Sequence, residues 1–459
     1  MEYDYVFKGG RIVTAEGTAA AELGVAGAKI AAIGTGLRGR EVIDATGLLV
    51  LPGAIDPHTH FGLSIGTMAT ADDYESGSRA AAFGGVTSFI NYVFQEPGRS
   101  LVEAVDGELT KAVGRTHLDF GFHVAVTDPD ALDLKVELPA LVARGVTSIK
   151  IFTAVEGWQL HRRQMLEVMQ AAADLGLIVN VHAEDGPLAS HLTKRLVAEG
   201  KRHVRSLPDA RPPDSEALAV SIVSTYAEAL GCSVYIVHLS SRKALEVTSA
   251  ARARGAHVFV ETRPMYLYLD RSRYELPGVE GNKFVCWPPL REPDDQRALW
   301  DGLASGAIQA YGTDHVPWTA AQMMSPKLDF SQIPGGASNA ETSVGMLFSE
   351  GVGKGRISLR RFVELTSSNP ARLFGLYPSK GSLSVGADAD VMLIDPNRRF
   401  KVVTAEMQSK GDLDPYDGYE STGWPVLTMA RGEIIVRDGA IRSAPGRGRY
   451  IARSRHEAI

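Results

Sequence analysis

Leu51-Pro52-Gly53-Ala54-Ile55-Asp56-Pro57-His58-Thr59-His60 marks a change of pattern in this 459-residue chain. Before it, residues 3–7, 10–14, 22–26 and 29–33 read as short strands broken by glycine-rich turns, a small β layer. After it come short apolar runs separated by helix-length segments, as in βα units around a parallel sheet. Eight such runs occur, at 53–60, 86–93, 120–126, 146–152, 177–184, 233–240, 257–263 and 307–314. Eight parallel strands joined by right-handed crossovers close a TIM (β/α)8 barrel. Helices are expected between them, for example at 72–83, 162–175, 214–230, 242–253 and 293–305, several opened by Asp, Ser or Pro.

Past the eighth run, residues 316–338 are rich in Pro, Gly, Ser and Met, and a connection this long is usually a functional loop. Helices are expected next, at 341–348 and 359–366, before β signals return at 389–394, 426–430 and 433–436. The expected fold is therefore α/β: a (β/α)8 barrel over 51–372 and one discontinuous β domain built from both chain ends, 1–50 and 373–440. Residues 441–459 form a C-terminal tail, with disorder expected only in its basic end after Arg447.

Composition narrows the partners. The chain is 44% apolar with a formal net charge of −6, and no basic run is present to neutralise a phosphate backbone or coat an anionic membrane. Nucleic acid and membrane are not expected as partners. The start, Met1-Glu2-Tyr3-Asp4, carries acids where a signal peptide carries bases, and no stretch approaches the ~20 apolar residues of a membrane span. A cytoplasmic location is the expectation. The only cysteines, Cys232 and Cys286, form no closely spaced pair, which argues against disulfides and thiolate metal sites.

The chemistry gathers at the ends of the runs. Residues two apart on a strand face the same side, so His58 and His60 both point into the barrel at its C-terminal mouth. Alone, this pair reads equally well as two hydrogen-bonded core histidines. The fourth run, Ser148-Ile149-Lys150-Ile151-Phe152, buries a lysine among apolar residues, which needs a salt bridge, a snorkelling side chain or a chemical reason. A depressed pKa would let the neutral amine of Lys150 react with CO2, giving a carbamate able to bridge two metals. The fifth and sixth runs end near His182 and His238, and the eighth ends at Asp314. Neutral imidazoles and carboxylates suit two divalent ions of the zinc class, with His58, His60 and Asp314 on one and His182 and His238 on the other. Asp314 is expected to take the proton from a metal-bridging hydroxide and pass it to the leaving nitrogen.

These motifs, with Asp73-Tyr74-Glu75-Ser76-Gly77, Phe83-Gly84-Gly85-Val86-Thr87 and 381–390, resemble the amidohydrolase superfamily, and within it the dihydropyrimidinase/hydantoinase group. The resemblance implies a metal-dependent, binuclear zinc (β/α)8 barrel with a β-sandwich side domain, which hydrolyses a cyclic amide or ureide of hydantoin, dihydropyrimidine or imide type, often as a homotetramer or other homo-oligomer. It carries His58, His60, Lys150, His182, His238 and Asp314 over as metal ligands. The sequence departs from the group in its substrate contacts. Val155 stands where hydantoinases place an oxyanion-supporting tyrosine. The group's Ser-Pro-Pro-Leu-Arg segment, whose serine backbone binds the substrate ring, reads Cys286-Trp287-Pro288-Pro289-Leu290-Arg291 here, so that indole bulk reshapes the pocket. Asn339 is the nearest substitute for an asparagine that has become glycine. Phe61-Gly62-Leu63 follows the histidine pair where dihydroorotases carry an arginine, which argues against that activity.

Phe61, Leu63, Trp158, Trp287 and Trp318 are expected to line an apolar entrance favouring a hydrophobic substituent. His123 and Cys286 are read as core residues, His315 as a support to the ligands, and Glu184 as a loop carboxylate able to orient one. Two alternatives stand beside the leading reading. One is the same metal chemistry on allantoin, a lactam or an acyclic amide. The other is a non-catalytic dihydropyrimidinase-related scaffold, disfavoured because all six ligands are present.

Overall fold

The computed structural model describes residues 2–457. Eight parallel strands follow one another around a barrel: β1 (Ala54–Thr59), β2 (Val86–Phe94), β3 (Asp119–Ala125), β4 (Ser148–Phe152), β5 (Ile178–His182), β6 (Ser233–Ile236), β7 (Val258–Thr262) and β8 (Ala310–Tyr311). A parallel bridge between Thr59 and His315 brings the last segment back to the first. Helices cover the outside, so the strands are buried on both faces and read as nearly continuous apolar runs.

Local chemistry sets the helix ends. Helix Tyr74–Phe83 starts where the Asp73 side chain accepts from the Glu75 and Ser76 amides while Ser76 Oγ accepts from the Asp73 amide, a capping box. Helices Arg162–Leu175, Arg242–Ala253 and Pro293–Ser305 occupy the expected spans. Strands six and eight are shorter than their apolar runs. The chain leaves β6 at Ile236 and β8 at Tyr311, and His238 (φ 41°) and Asp314 (φ 48°) then adopt left-handed backbone conformations beyond the strands.

The chain ends meet in the side domain. Strand Leu49–Pro52 pairs antiparallel with Val391–Lys401 on one edge and parallel with Arg11–Val13 on the other. This seven-stranded sheet faces a four-stranded one formed by Glu2–Lys8, Glu22–Ala26, Lys29–Gly34 and Arg38–Asp44. Phe7, Leu23, Val25, Val50, Leu393 and Met429 share the core between them. Each such side chain contributes about 1.5–3 kcal/mol on burial. Strand Arg38–Asp44 has mostly exposed residues and little apolar signal, which is why periodicity passed over it.

The end after Arg447 departs from the expectation of disorder. Phe120 donates its amide to the Arg449 carbonyl (2.9 Å), Ile451 donates back to Phe120 (2.7 Å), and Arg453 is buried against Ser148 Oγ (2.8 Å). The tail closes the N-terminal end of the barrel beside Phe374, and its basic composition reflects these partners. Among the described residues, no helix is long and apolar enough to cross a membrane.

Candidate metal centre

The C-terminal mouth of the barrel opens into a chamber of about 810 Å³ whose lining includes His58, His60, Lys150, His182, His238 and Asp314. His58 Nε2 and His60 Nε2 lie 3.1 and 3.2 Å from Asp314 Oδ1 and 3.3 Å from each other. These three residues form a buried cluster of suitable spacing for one divalent cation. Across the mouth, His182 Nδ1 faces His238 Nε2 at 3.1 Å. Lys150 lies on β4, which lies next to β5 of His182.

Two of the imidazoles are held from behind by carboxylates. His58 Nδ1 pairs with Glu261 Oε1 at 2.7 Å, which fixes its ring and turns Nε2 toward the mouth. The same Glu261 accepts from the His238 amide (3.0 Å) and the Tyr235 hydroxyl (2.9 Å), so one buried carboxylate braces both histidine pairs. His182 Nε2 bonds Glu184 Oε2 (2.9 Å), and Arg211 clamps Glu184 through Nε and Nη2. His238 Nδ1 and His60 Nδ1 have no hydrogen-bond partner among the described residues. The left-handed backbone at His238 and Asp314 is a local strain that the surrounding fold maintains, as is common at functional sites.

Electrostatics favour ligand forms. Burial pulls His60 down to about 4, keeping its imidazole neutral. Burial would raise Asp314, but the Arg263 guanidinium and His58 beside it hold its carboxyl well below the usual range. Lys150 is only 2% exposed and has no ion-pair partner among the described residues; the rings of Tyr92 and Phe152 face its amine at 4.7 and 5.3 Å. Burial lowers its pKa to about 7, against the pull of Asp314 and Glu261. A partly neutral amine beside imidazoles is the state that reacts with CO2. Burial likewise lowers His182 and His238, whereas at His58 burial is outweighed by Glu261 and Asp314, which raise it. The donor set of three neutral imidazoles, a fourth braced by a carboxylate, an ionised carboxylate and a lysine without an ion-pair partner among the described residues fits divalent cations.

Among the expected substrate contacts, Leu63, Val155, Trp158, Trp287 and Trp318 line the chamber, joined by Ile65, Met68, Phe94 and Phe330. Phe61 does not. Its ring packs edge-on to Phe89 (4.9 Å) and His315 (5.5 Å) over Gly77, where a β-carbon would collide with it. Asn339 is also withdrawn: its Nδ2 donates to the Thr313 carbonyl (2.9 Å) and its Oδ1 accepts from Tyr416 (2.9 Å), bonds that fix the wall. The loop 316–338 contributes a side of the chamber from Trp318 to Gly335. His123 is tied to Ser148 and the Pro57 carbonyl below the mouth, His315 to Asp72, and Cys286 is a buried thiol.

Sequence reasoning passed over Glu261 and Arg263. Both close the run 257–263, and the signal that singled out Lys150, a charge inside an apolar run, applies equally to them.

The comparisons agree with this geometry. The amidohydrolase family model matches residues 49–435. A D-hydantoinase of Geobacillus stearothermophilus is 40% identical over 99% of this chain and 97% of its own length. The crystal structure of a dihydropyrimidinase from Brevibacillus agri NCHU1002 superposes with a TM-score of 0.97 at 37% identity, covering 99% of this chain and 100% of that one. The D-hydantoinase from a Bacillus sp. AR9 gives 0.96 at 38% identity over 99% and 100%. With a family match over most of its length, full-length relatives and a mouth built from this donor set, the chain belongs to the amidohydrolase family.

Proposed function

We propose that this protein hydrolyses the ring amide of a small cyclic amide or ureide of hydantoin, dihydropyrimidine or imide type. The carrying observation is the convergence of four histidines, Lys150 and Asp314 on one chamber, in a chain whose full-length relatives are D-hydantoinases. In this reading His58, His60 and Asp314 would hold one divalent ion, His182 and His238 would hold a second, and Lys150, as its carbamate, would supply an anionic ligand. The donor chemistry favours zinc. Such ions, when bound, polarise the scissile carbonyl and supply hydroxide near neutral pH.

The protein's own groups do the rest. Asp314, kept ionised by Arg263 and His58, accepts the proton of the attacking water on its carboxylate and returns it to the leaving nitrogen. Glu261 and Glu184 keep His58 and His182 in fixed orientation through the cycle. Leu63, Ile65 and Met68, from the turn and hairpin after β1, and Trp158 form the apolar walls that exclude water and receive the ring substituent. Val155 carries no hydroxyl, so its side chain gives the oxyanion no hydrogen bond.

Zinc-reconstituted protein incubated with dihydrouracil, small and aryl 5-substituted hydantoins, allantoin, cyclic imides and lactams tests the reading. Ring opening is followed by ultraviolet loss and mass spectrometry. Opening of a hydantoin or imide that chelation abolishes is the expected result. Silence on the cyclic panel from protein shown to hold its metal would reject it, and allantoin or lactam opening alone would transfer the activity to another amide class.

A further inference from the structure

Arg263 is among the largest fully buried side chains of the described residues, 1% exposed, and it stands on the wall of the substrate chamber. Its Nη1 pairs with Asp314 Oδ2, and its guanidinium lies 4.7 Å over the Tyr266 ring. Its Nε and Nη2 have no hydrogen-bond partner. A guanidinium offers five N–H donors and cannot shed its charge, so dry, unpartnered N–H groups are costly unless something else meets them. Among the described residues no oxygen or nitrogen acceptor meets them: the ring of Tyr266 is a face, Asp314 is already shared with His58 and His60, and the Cys286 thiol beside the guanidinium is only a weak acceptor.

The rest of the chamber has the same bias. Its charged lining is Lys150, Lys194, Arg211 and Arg263 against Glu156 and Asp314. Arg211 is neutralised by Glu184 behind the wall, and Glu156 lies exposed at the rim. Lys194 is exposed and Lys150 faces the histidines, so Arg263, whose one counter-charge is Asp314, is the buried cation that keeps unpartnered N–H groups on the chamber wall beside the residue that handles the proton.

We infer that Arg263 anchors an anionic group of the substrate, so that the preferred substrate is a cyclic amide bearing a carboxylate close to the scissile bond. This rests on the hydrolase reading above and adds the substrate class. A carboxylate accepts two parallel N–H bonds from a guanidinium, a geometry that a neutral amide of the same shape cannot match. The apolar walls then hold the body of the ring, while Arg263 fixes which end faces Asp314.

The test compares hydantoin-5-acetic acid with its carboxamide, a pair matched in size and differing in charge. Initial rates and equilibrium dissociation constants are measured on zinc-loaded wild type, Arg263→Met and Arg263→Lys. In wild type, kcat/KM for the carboxylate exceeds that for the carboxamide by at least about tenfold, and the dissociation constants follow. In Arg263→Met that ratio falls to about one, whatever the absolute rates; Arg263→Lys retains part of it. A wild-type ratio near one overturns the inference even if no variant folds. So does a ratio that survives in Arg263→Met while both rates fall together, which would make Arg263 a positioning residue for Asp314. If neither compound is hydrolysed, the ratio of dissociation constants decides the role of Arg263, a ratio near one overturning it, while the hydrolase reading stands or falls on the wider panel above.

Discussion

Two lysines, Lys150 and Lys380, are equally buried at 2% exposure and live opposite lives. Lys380 lies where barrel and side domain join, with its amine 2.9 Å from Asp119, 2.8 Å from Asp390 and 3.2 Å from Asp388. Burial would lower its pKa, but these carboxylates carry it above the ordinary lysine value. Lys150 has no such neighbours, and burial takes it down to about 7. A buried cation surrounded by acids is part of the frame. One left without acids is poised for chemistry, and the fold tolerates it because something outside the fold completes it.

The largest expected effect tests the Lys150 side of this contrast. Lys150→Ala should fold normally yet lose turnover on the order of 10³-fold or more, with partial rescue by a short carboxylic acid replacing the carbamate. Full activity in that variant would remove the bridge. Lys380→Ala tests the other side: stranding buried carboxylates should cost about 3–5 kcal/mol in urea unfolding while turnover per folded molecule stays the same. A stable Lys380→Ala protein with crippled turnover would invert the comparison.

Smaller effects sharpen it. Glu261→Gln keeps the shape behind His58 but removes the charge, and should lower metal affinity or activity about 10–100-fold with little change in melting temperature. The last prediction concerns a buried acid without a cation. Burial, helped by Asp414 and Asp72, raises Glu341 to about 8. Because the folded state holds this proton more tightly than the unfolded chain, stability falls as pH rises from about 4.5 to about 8. Glu341→Gln can still accept from the Gln408 amide, and should remove that part of the fall, a gain of about 1–3 kcal/mol at pH 8. Parallel melting curves for the two proteins from pH 5 to about 8.5 would contradict it.

The same contrast explains what could be read from the sequence. The barrel was legible because strands buried on both faces give apolar runs, and Lys150 because a charge interrupts one of them. Glu261 and Arg263 interrupt another run in the same manner, but histidines drew the eye as metal donors and these two were passed over. His238 and Asp314 stand beyond strand ends, in left-handed conformations that no periodicity encodes. Phe61 and Asn339 were misplaced because the side a residue faces after a strand ends is decided by its neighbours: Gly77 opens a slot for the phenyl ring, and the Thr313 carbonyl and Tyr416 capture the amide. The C-terminal segment was misread because its arginines are typical of a solvated tail, whereas Arg453 finds Ser148 and the Phe122 carbonyl beneath the barrel.

The central claim is that four histidines, Lys150 and Asp314 form one metal centre completed from outside the fold. Elemental analysis of zinc-loaded, desalted wild type and Lys150→Ala tests it most directly. The account predicts about two equivalents per chain in wild type and about one or fewer in the variant. Absence of tightly held zinc in wild type, or two equivalents retained without Lys150, would contradict it.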